Sequence, residues 1–498
     1  MIQTDILELV MSMSKSERRL FKIATKTYSH KEINLIESLF DIYCKNDDVK
    51  KINQKARSKI SSSRLNRMHS ELYKKLQSFI GDEEIKNEQK YRLYKNIFIA
   101  RALLKRKLYK QANNIIEKTI TEALEFEIYP VLVEAISIKQ FLQKYIGSLK
   151  DGLSIEKSFL LDFSEVIQKN YTYYKNFNIY TQLQSEFAKN GPIRNEDKIS
   201  EFNKLTENIK IDLQQGFNIN KVNLLCLSML GKLKQDSEIV LETKQNLYQN
   251  YLDHPKFIEY NPSEFFLTCY NYAGNLIAAN QLENVGEMLE KLEKLAKNKD
   301  SLRNKEFFIK GLQLSYHLKN NNPTKSLKYA QEFQFFLQTT DDYIYLNFIA
   351  VNIVIAYLIN EQYETALESI NTVLNRNIKN LRKDCYSLLL AYEIIIYAKL
   401  EWVDLIDSKI KALDRYLKTH YNKTAFEKWL IKFLYRTQKV EFKQACIESY
   451  NTIESLNTDS LSKSILNLSE FNLKSVLISL LASLIEEQWN QLNGNTSL

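Results

Sequence analysis

From Phe348 to Val373 the chain reads FIAVNIVIAYLINEQYETALESINTV, with large apolar residues at helical spacing on two segments divided by Asn360-Glu361-Gln362. Ile353 and Tyr357 share a face of the first segment. Tyr363, Ile370 and Val373 share a face of the second, and the small residues Ala356 and Ala366 sit between the two sets. The pattern predicts a helical hairpin in which helix A turns Ile353 and Tyr357 inward, the chain reverses near Glu361, and helix B seats Ala366 at the crossing. One hairpin cannot bury its own apolar face, so neighbours are expected on both sides.

The pattern recurs. Helix-A anchors fall at Leu276, Tyr316, Tyr357 and Tyr397, at steps of 40, 41 and 40, and helix-B crossing positions at Val285, Ser326, Ala366 and Ile406, at steps of 41, 40 and 40. A weaker copy runs through Phe442 and Ala445, and Leu103, Tyr109 and Ala112 repeat the offsets of Tyr357, Tyr363 and Ala366. Two columns on one period define tetratricopeptide-like (TPR-like) pairs, longer than the unit of about 34 residues. The expected fold is all-α: a right-handed α-superhelix, or α-solenoid, of antiparallel helix pairs. Helices over 462–491 would cap its end.

Ahead of the repeats the spacing predicts an N-terminal helical bundle. Ile2, Ile6, Leu9 and Val10 mark a first helix; Ser14 and Glu17 form a capping box that starts a second; a third runs to Cys44, and Asn46-Asp47-Asp48 breaks it. A short basic helix follows, then Ser61-Ser62-Ser63 opens a long one that Gly81 is expected to end. Asp82–Lys90 reads as a charged connector, Asn190-Gly191-Pro192 as the sharpest break, and His254–Pro262 as a second. The expected domains are 1–81, a basic bundle; 82–190, helical hairpins with the first TPR-like unit; and 199–498, the repeats.

Composition narrows the function. The 10 Gly and 5 Pro are far below average usage of about 12% of a chain, so phosphate-cradling loops and strand-and-turn folds are not expected. Five dispersed cysteines, without a C-x-x-C pair, read as buried reduced thiols of a cytoplasmic protein, and five dispersed histidines give no zinc spacing. Acidic clusters such as Asp82-Glu83-Glu84 read as helix starts. No motif for a nucleotide, a nucleophile or a metal appears, so no catalytic residue, cofactor or metal ligand is assigned and the chain is expected not to be an enzyme. No apolar stretch reaches the length of a membrane span, and no signal-peptide pattern opens the chain, so no membrane partner is expected.

The net charge is +9, and residues 1–80 hold 16 Lys and Arg against 9 Asp and Glu, so the basic excess is mainly N-terminal. Arg64, Arg67 and Lys74 make a basic stripe beside the apolar row Leu65, Met68, Leu72, Leu76 and Phe79, interrupted by Glu71. It is either the solvated face of a bundle or a surface that matches phosphates along a nucleic acid.

The segment Met13-Ser14-Lys15-Ser16-Glu17-Arg18-Arg19-Leu20-Phe21-Lys22 resembles the opening of a group of uncharacterised bacterial cytosolic proteins that continue into TPR-like pairs. The resemblance covers about the first 130 residues as sequence and the rest as pattern. It implies a fold and lends no catalytic residue. A concave groove on helix A would be lined by Leu314, His317, Ile355, Leu358 and Ile395, either filled by neighbouring helices or open to an amphipathic helix of a partner. The function these observations point to is a non-enzymatic scaffold or adaptor for a protein or peptide, with a nucleic-acid-associated regulator as the alternative.

Overall fold

In a computed structural model of the chain, the described residues are 2–26, 31–146, 152–193, 195–212, 215–297, 305–339, 343–375, 381–400, 402–420, 425–436, 438–440, 444, 445 and 448. Phe442 and the capping helices expected over 462–491 lie outside them. All regular structure among the described residues is helical. The chain forms two compact units, Met1–Ile167 and Gln168–Leu498.

The first unit holds α1 (Ile2–Ser12), α2 (Lys15–Lys26), α3 (Lys31–Cys44), α4 (Val49–Arg57), α5 (Ser62–Asn87), α6 (Gln89–Lys105), α7 (Tyr109–Glu125), α8 (Tyr129–Ile146) and the start of α9 (Gly152–Asn190). The capping box forms as the sequence predicts: the Ser14 amide donates to Glu17 Oε2 at 2.6 Å and the Glu17 amide donates to Ser14 Oγ at 3.2 Å. Asp48 caps α4 through the Lys50 amide at 2.9 Å. Ile6, Val10, Phe21, Leu39, Phe40, Leu72 and Leu76 are buried in one core that draws on α1, α2, α3 and α5. Gly81 does not end α5, which continues to Asn87. A Cβ at Gly81 would meet nothing within 4 Å, so glycine there lowers helix propensity without any turn requiring it. Asp82-Glu83-Glu84 therefore lies inside a helix and not at its start.

The second unit holds the rest of α9, then α10 (Glu196–Thr206), α11 (Phe217–Lys234), α12 (Ser237–Asp253), α13 (Pro255–Tyr260), α14 (Pro262–Ala278), α15 (Val285–Ala296), α16 (Lys305–Lys319), α17 (Pro323–Glu332), α18 (Gln334–Thr339), α19 (Tyr343–Ile359), α20 (Tyr363–Leu374), α21 (Lys383–Lys399), α22 (Val403–His420) and α23 (Ala425–Arg436). The break expected at His254–Pro262 contains a short helix, α13, whose Phe257 stacks on Phe217 with centroids 3.8 Å apart. Helices pack in neighbouring pairs, α14 with α15, α16 with α17, α19 with α20 and α21 with α22. The first helix of each pair also touches the first helix of the next. Buried Asn352 on α19 donates to Ser315 Oγ on α16 at 3.0 Å, one polar tie between successive first helices.

One turn geometry joins the pairs. The amide of Gln281 donates to Leu276 O, that of Asn322 to His317 O, that of Gln362 to Tyr357 O and that of Trp402 to Tyr397 O, all at 2.9–3.0 Å. These are the wide hydrogen bonds of Schellman caps, and Asn280, Asn321 and Glu361 take the left-handed conformation the cap requires, at φ of 59°, 48° and 57°. Nine residues beyond each acceptor stands a buried residue on the second helix: Val285, Ser326, Ala366 and Ile406. The second anchor is thus His317 and not Tyr316, and both columns step by 41, 40 and 40. Tyr316 resembles its counterparts chemically, but the left-handed Asn321 sets the register. Asn322 and Pro323 begin the next helix behind it, with Asn322 Oδ1 accepting the Lys325 amide at 3.1 Å.

The same cap joins α6 to α7 (Leu103 with Ala112), α7 to α8 (Ala123 with Leu132) and α11 to α12 (Gly231 with Val240). The last pair escaped the sequence reading, because glycine stands where Leu276, Tyr357 and Tyr397 are large. A Cβ at Gly231 would sit 2.9 Å from Val240 Cγ2, so glycine lets these two helices approach.

Two predictions follow from these elements. Glu361 holds a left-handed backbone that costs an L-residue about 1 kcal/mol. Glu361→Gly is therefore expected to raise stability by about that amount in urea denaturation, and an unchanged midpoint would count against the cap. His69 is buried against Tyr43 (centroids 5.9 Å), and burial holds its pKa below the ordinary value. As pH falls below about 6.5, the unfolded chain takes up a proton that the folded core resists, so stability declines. Denaturation of the chain between about pH 7 and about pH 5 should show this decline, and His69→Phe should flatten it.

Candidate functional site: a cavity at the start of the second unit

The 39-residue helix α9 ends at Asn190, where Gly191 turns left-handed at φ 70° and donates its amide to Phe187 O at 2.8 Å. After Pro192, the Ile193 amide donates to Leu233 O at 2.8 Å, which ties the turn to the end of α11. This turn meets the beginning of α21. A Cβ on Gly191 would lie 2.9 Å from both Cγ and Oδ1 of Asp384, so only glycine satisfies both the backbone and the approach. Asp384 is 2% exposed and accepts two hydrogen bonds from Arg382, from Nε at 3.0 Å and Nη2 at 2.7 Å. The Arg382 guanidinium lies 4.8 Å from the Phe187 ring centroid, and Lys232 Nζ lies 6.0 Å from the same ring.

Between these elements lies a cavity of about 210 Å³. Phe187, Val240, Tyr270 and Leu312 give it apolar walls, Lys232 and Arg382 bring positive charge, and Gly274 and Asn275 line it from α14. Gln235, left-handed at φ 60°, also lines it, and its Nε2 is buried without a hydrogen-bond partner. Asp236 turns its carboxylate to the Ile239 amide at 3.1 Å as the cap of α12. Asn271 and Asn275 donate their amide hydrogens to backbone carbonyls of α14, at 2.8 and 2.5 Å. One turn along α12 from Val240, Lys244 is 6% exposed. Burial, and then the charge of Lys232, push its pKa down to about 7.

The expected groove residues lie elsewhere. Leu314, Ile355, Leu358 and Ile395 are at most 2% exposed and belong to one hydrophobic core, so they are packing residues that no partner reaches in this conformation. With the anchor at His317, the positions equivalent to Ile355 and Leu358 are Ser315 and Leu318, and the pair Leu314 and His317 is one residue out of register. His317 is half-buried and stacks on Tyr329 with centroids 5.7 Å apart. Helix α21 is buried on every side from Ser387 to Ala398, which leaves no outward face there. Its Glu393 is held by Lys409 Nζ at 2.6 Å and Tyr397 Oη at 2.9 Å.

Arg64, Arg67 and Lys74 are exposed on α5 of the first unit, and Lys50, Lys51 and Arg57 are exposed on α4. Trp402 is 45% exposed against Tyr397, and Trp429 is buried and stacked on Phe433. Cys226, Cys269 and Cys385 are buried and outside any disulfide, with pKa values pushed up to about 12 by burial. Among the described residues no group of three His, Cys, Asp or Glu side chains could hold a metal ion, and no helix is long and apolar enough to cross a membrane. Comparison of the chain with protein families, curated proteins and solved structures finds no match.

The ion pair at this junction is testable. Arg382→Ala strands Asp384 in a buried position and is expected to cost about 3–5 kcal/mol in urea denaturation. Adding Asp384→Asn should return part of that loss. Equal stabilities of the single and double variants would contradict the assignment.

Proposed function

We propose that this chain is a non-enzymatic cytosolic scaffold or adaptor whose TPR-like pairs wind as a right-handed superhelix, and that it holds a protein partner on an exposed face of α9. The observation that carries the reading is an aromatic stripe: Tyr171, Tyr174 and Phe177 are 59%, 48% and 43% exposed at three-residue spacing. Tyr173 and Tyr180 border the stripe, Tyr173 meeting Tyr174 and Phe177 at centroid distances of 5.2 and 6.1 Å, and pack against the core around Leu183 and Cys226. Large aromatic side chains left in water along one helix face are enriched at protein interfaces and dominate their energetics. The recurring cap and its nine-residue offset support a repeat architecture, and the buried thiols support a reducing compartment.

A second reading has its own observation. Lys50, Lys51 and Arg57 of α4 and Arg64 and Lys74 of α5 are all exposed, with Glu71 the acidic residue within the α5 stripe, and exposed Lys and Arg side chains suit a phosphate backbone. There the chain would be a nucleic-acid-associated regulator.

Affinity capture from a lysate of the native host, with nuclease present, separates the two. The adaptor reading expects a nuclease-resistant partner whose recovery falls about tenfold or more with Tyr171→Ala/Tyr174→Ala, since interface aromatics each contribute on the order of 2 kcal/mol. Both side chains are exposed, so the variant should fold normally. Capture that survives the double variant removes the α9 site. Capture that collapses with nuclease and with Arg64→Glu/Arg67→Glu favours the regulator.

A further inference from the structure

We propose that the cavity between α9, α11, α14 and the start of α21 binds a small organic carboxylate with an apolar body. Three features of the cavity carry this, and none depends on the adaptor reading.

The first is size. At about 210 Å³ the space is smaller than the 300–1,000 Å³ of ligand pockets that take drug-sized molecules, and larger than a dry cavity of about 150 Å³ that accepts benzene. A body of one aromatic ring or a short alkyl chain fits, and a folded peptide segment does not. The second is polarity. Phe187, Tyr270, Val240 and Leu312 offer an apolar bed, while Lys232 and Arg382 both stand over the edge or face of the Phe187 ring and place positive charge at that end. Asp384 offsets the charge of Arg382, and the Asp236 carboxylate is turned to its own helix.

The third is a missing acceptor. Gln235 Nε2 is buried against the cavity with no hydrogen-bond partner, on a residue that its left-handed backbone holds in place. Buried donors are almost always satisfied. A carboxylate oxygen reaching toward Lys232 supplies what Gln235 lacks, and its apolar body then lies along Phe187 and Tyr270.

The test is calorimetric titration of the full chain with phenylacetate, hexanoate and the neutral isostere phenylacetamide. At least one acid should bind, and phenylacetamide should bind at least about tenfold more weakly, because hydrogen bonds to a charged group are the stronger kind. Lys232→Met keeps the apolar contact with Phe187 and should weaken acid binding about tenfold or more. Gln235→Gly removes the donor while suiting the left-handed backbone, so it should weaken binding severalfold in a protein at least as stable as the parent. No binding by either acid, equal binding of acid and amide, or unchanged affinity in both variants would overturn the proposal. So would binding of peptides with a free C-terminal carboxylate when neither free acid binds. The titration uses the purified chain alone, so its failure is distinguishable from a failure to capture a protein partner.

Discussion

Two cations share the Phe187 ring at the point where the second unit returns on itself. The turn after α9 and the beginning of α21 are about 190 residues apart in sequence, yet Gly191 approaches Asp384 so closely that a methyl group would not fit. Arg382 links the two sides, paired with Asp384 on one and lying on Phe187 on the other. A buried ion pair adds little net stability compared with an apolar contact of the same shape, but losing one partner costs several kcal/mol. Its directional bonds instead favour one arrangement of the two segments, with the cavity beside them.

That constraint acts through a repeated local device. The pairs reverse through a cap in which a left-handed residue such as Asn280, Asn321 or Glu361 fixes where helix A stops, and nine residues beyond the cap's acceptor helix B presents the buried contact. The cap is local, so its register survives changes of side-chain type. The same offset therefore serves Gly231 with Val240, His317 with Ser326 and Tyr357 with Ala366, although the residues have little in common. Where the anchor is glycine, the helices come close and the α11–α12 pair can stand beside the end of α9.

The helical character and the period were legible in the sequence because they rest on periodicity, the strongest signal a chain carries. Ser14 with Glu17 announced a helix start, and Asn190-Gly191-Pro192 announced a helix end. Register was harder to read. Tyr316 mimicked Tyr357 and Tyr397, whereas the deciding residue was the neighbouring Asn321 with Asn322-Pro323 behind it. Gly81 looked like a stop, but glycine ends a helix only where the backbone must turn left-handed, and no turn is needed there. The candidate site was the least visible part. Phe187, Lys232, Gln235 and Arg382 come from three separate segments and carry no shared motif, so only the packing of α9, α11 and α21 brings them together. The groove was left open between two readings for a related reason: an apolar helix face has the same pattern whether it binds a partner or its own neighbours, and Leu314, Ile355, Leu358 and Ile395 are packed by neighbours.

The meeting of α9 with α21 is tested most directly by amide hydrogen exchange of the full chain, comparing the parent with Gly191→Ala. The added methyl opposes both the backbone conformation and the approach of Asp384. Residues 186–193 and 383–390 should therefore lose protection together, while α19 and α20 keep theirs. Loss confined to residues 186–193, with the beginning of α21 as protected as in the parent, would contradict the account.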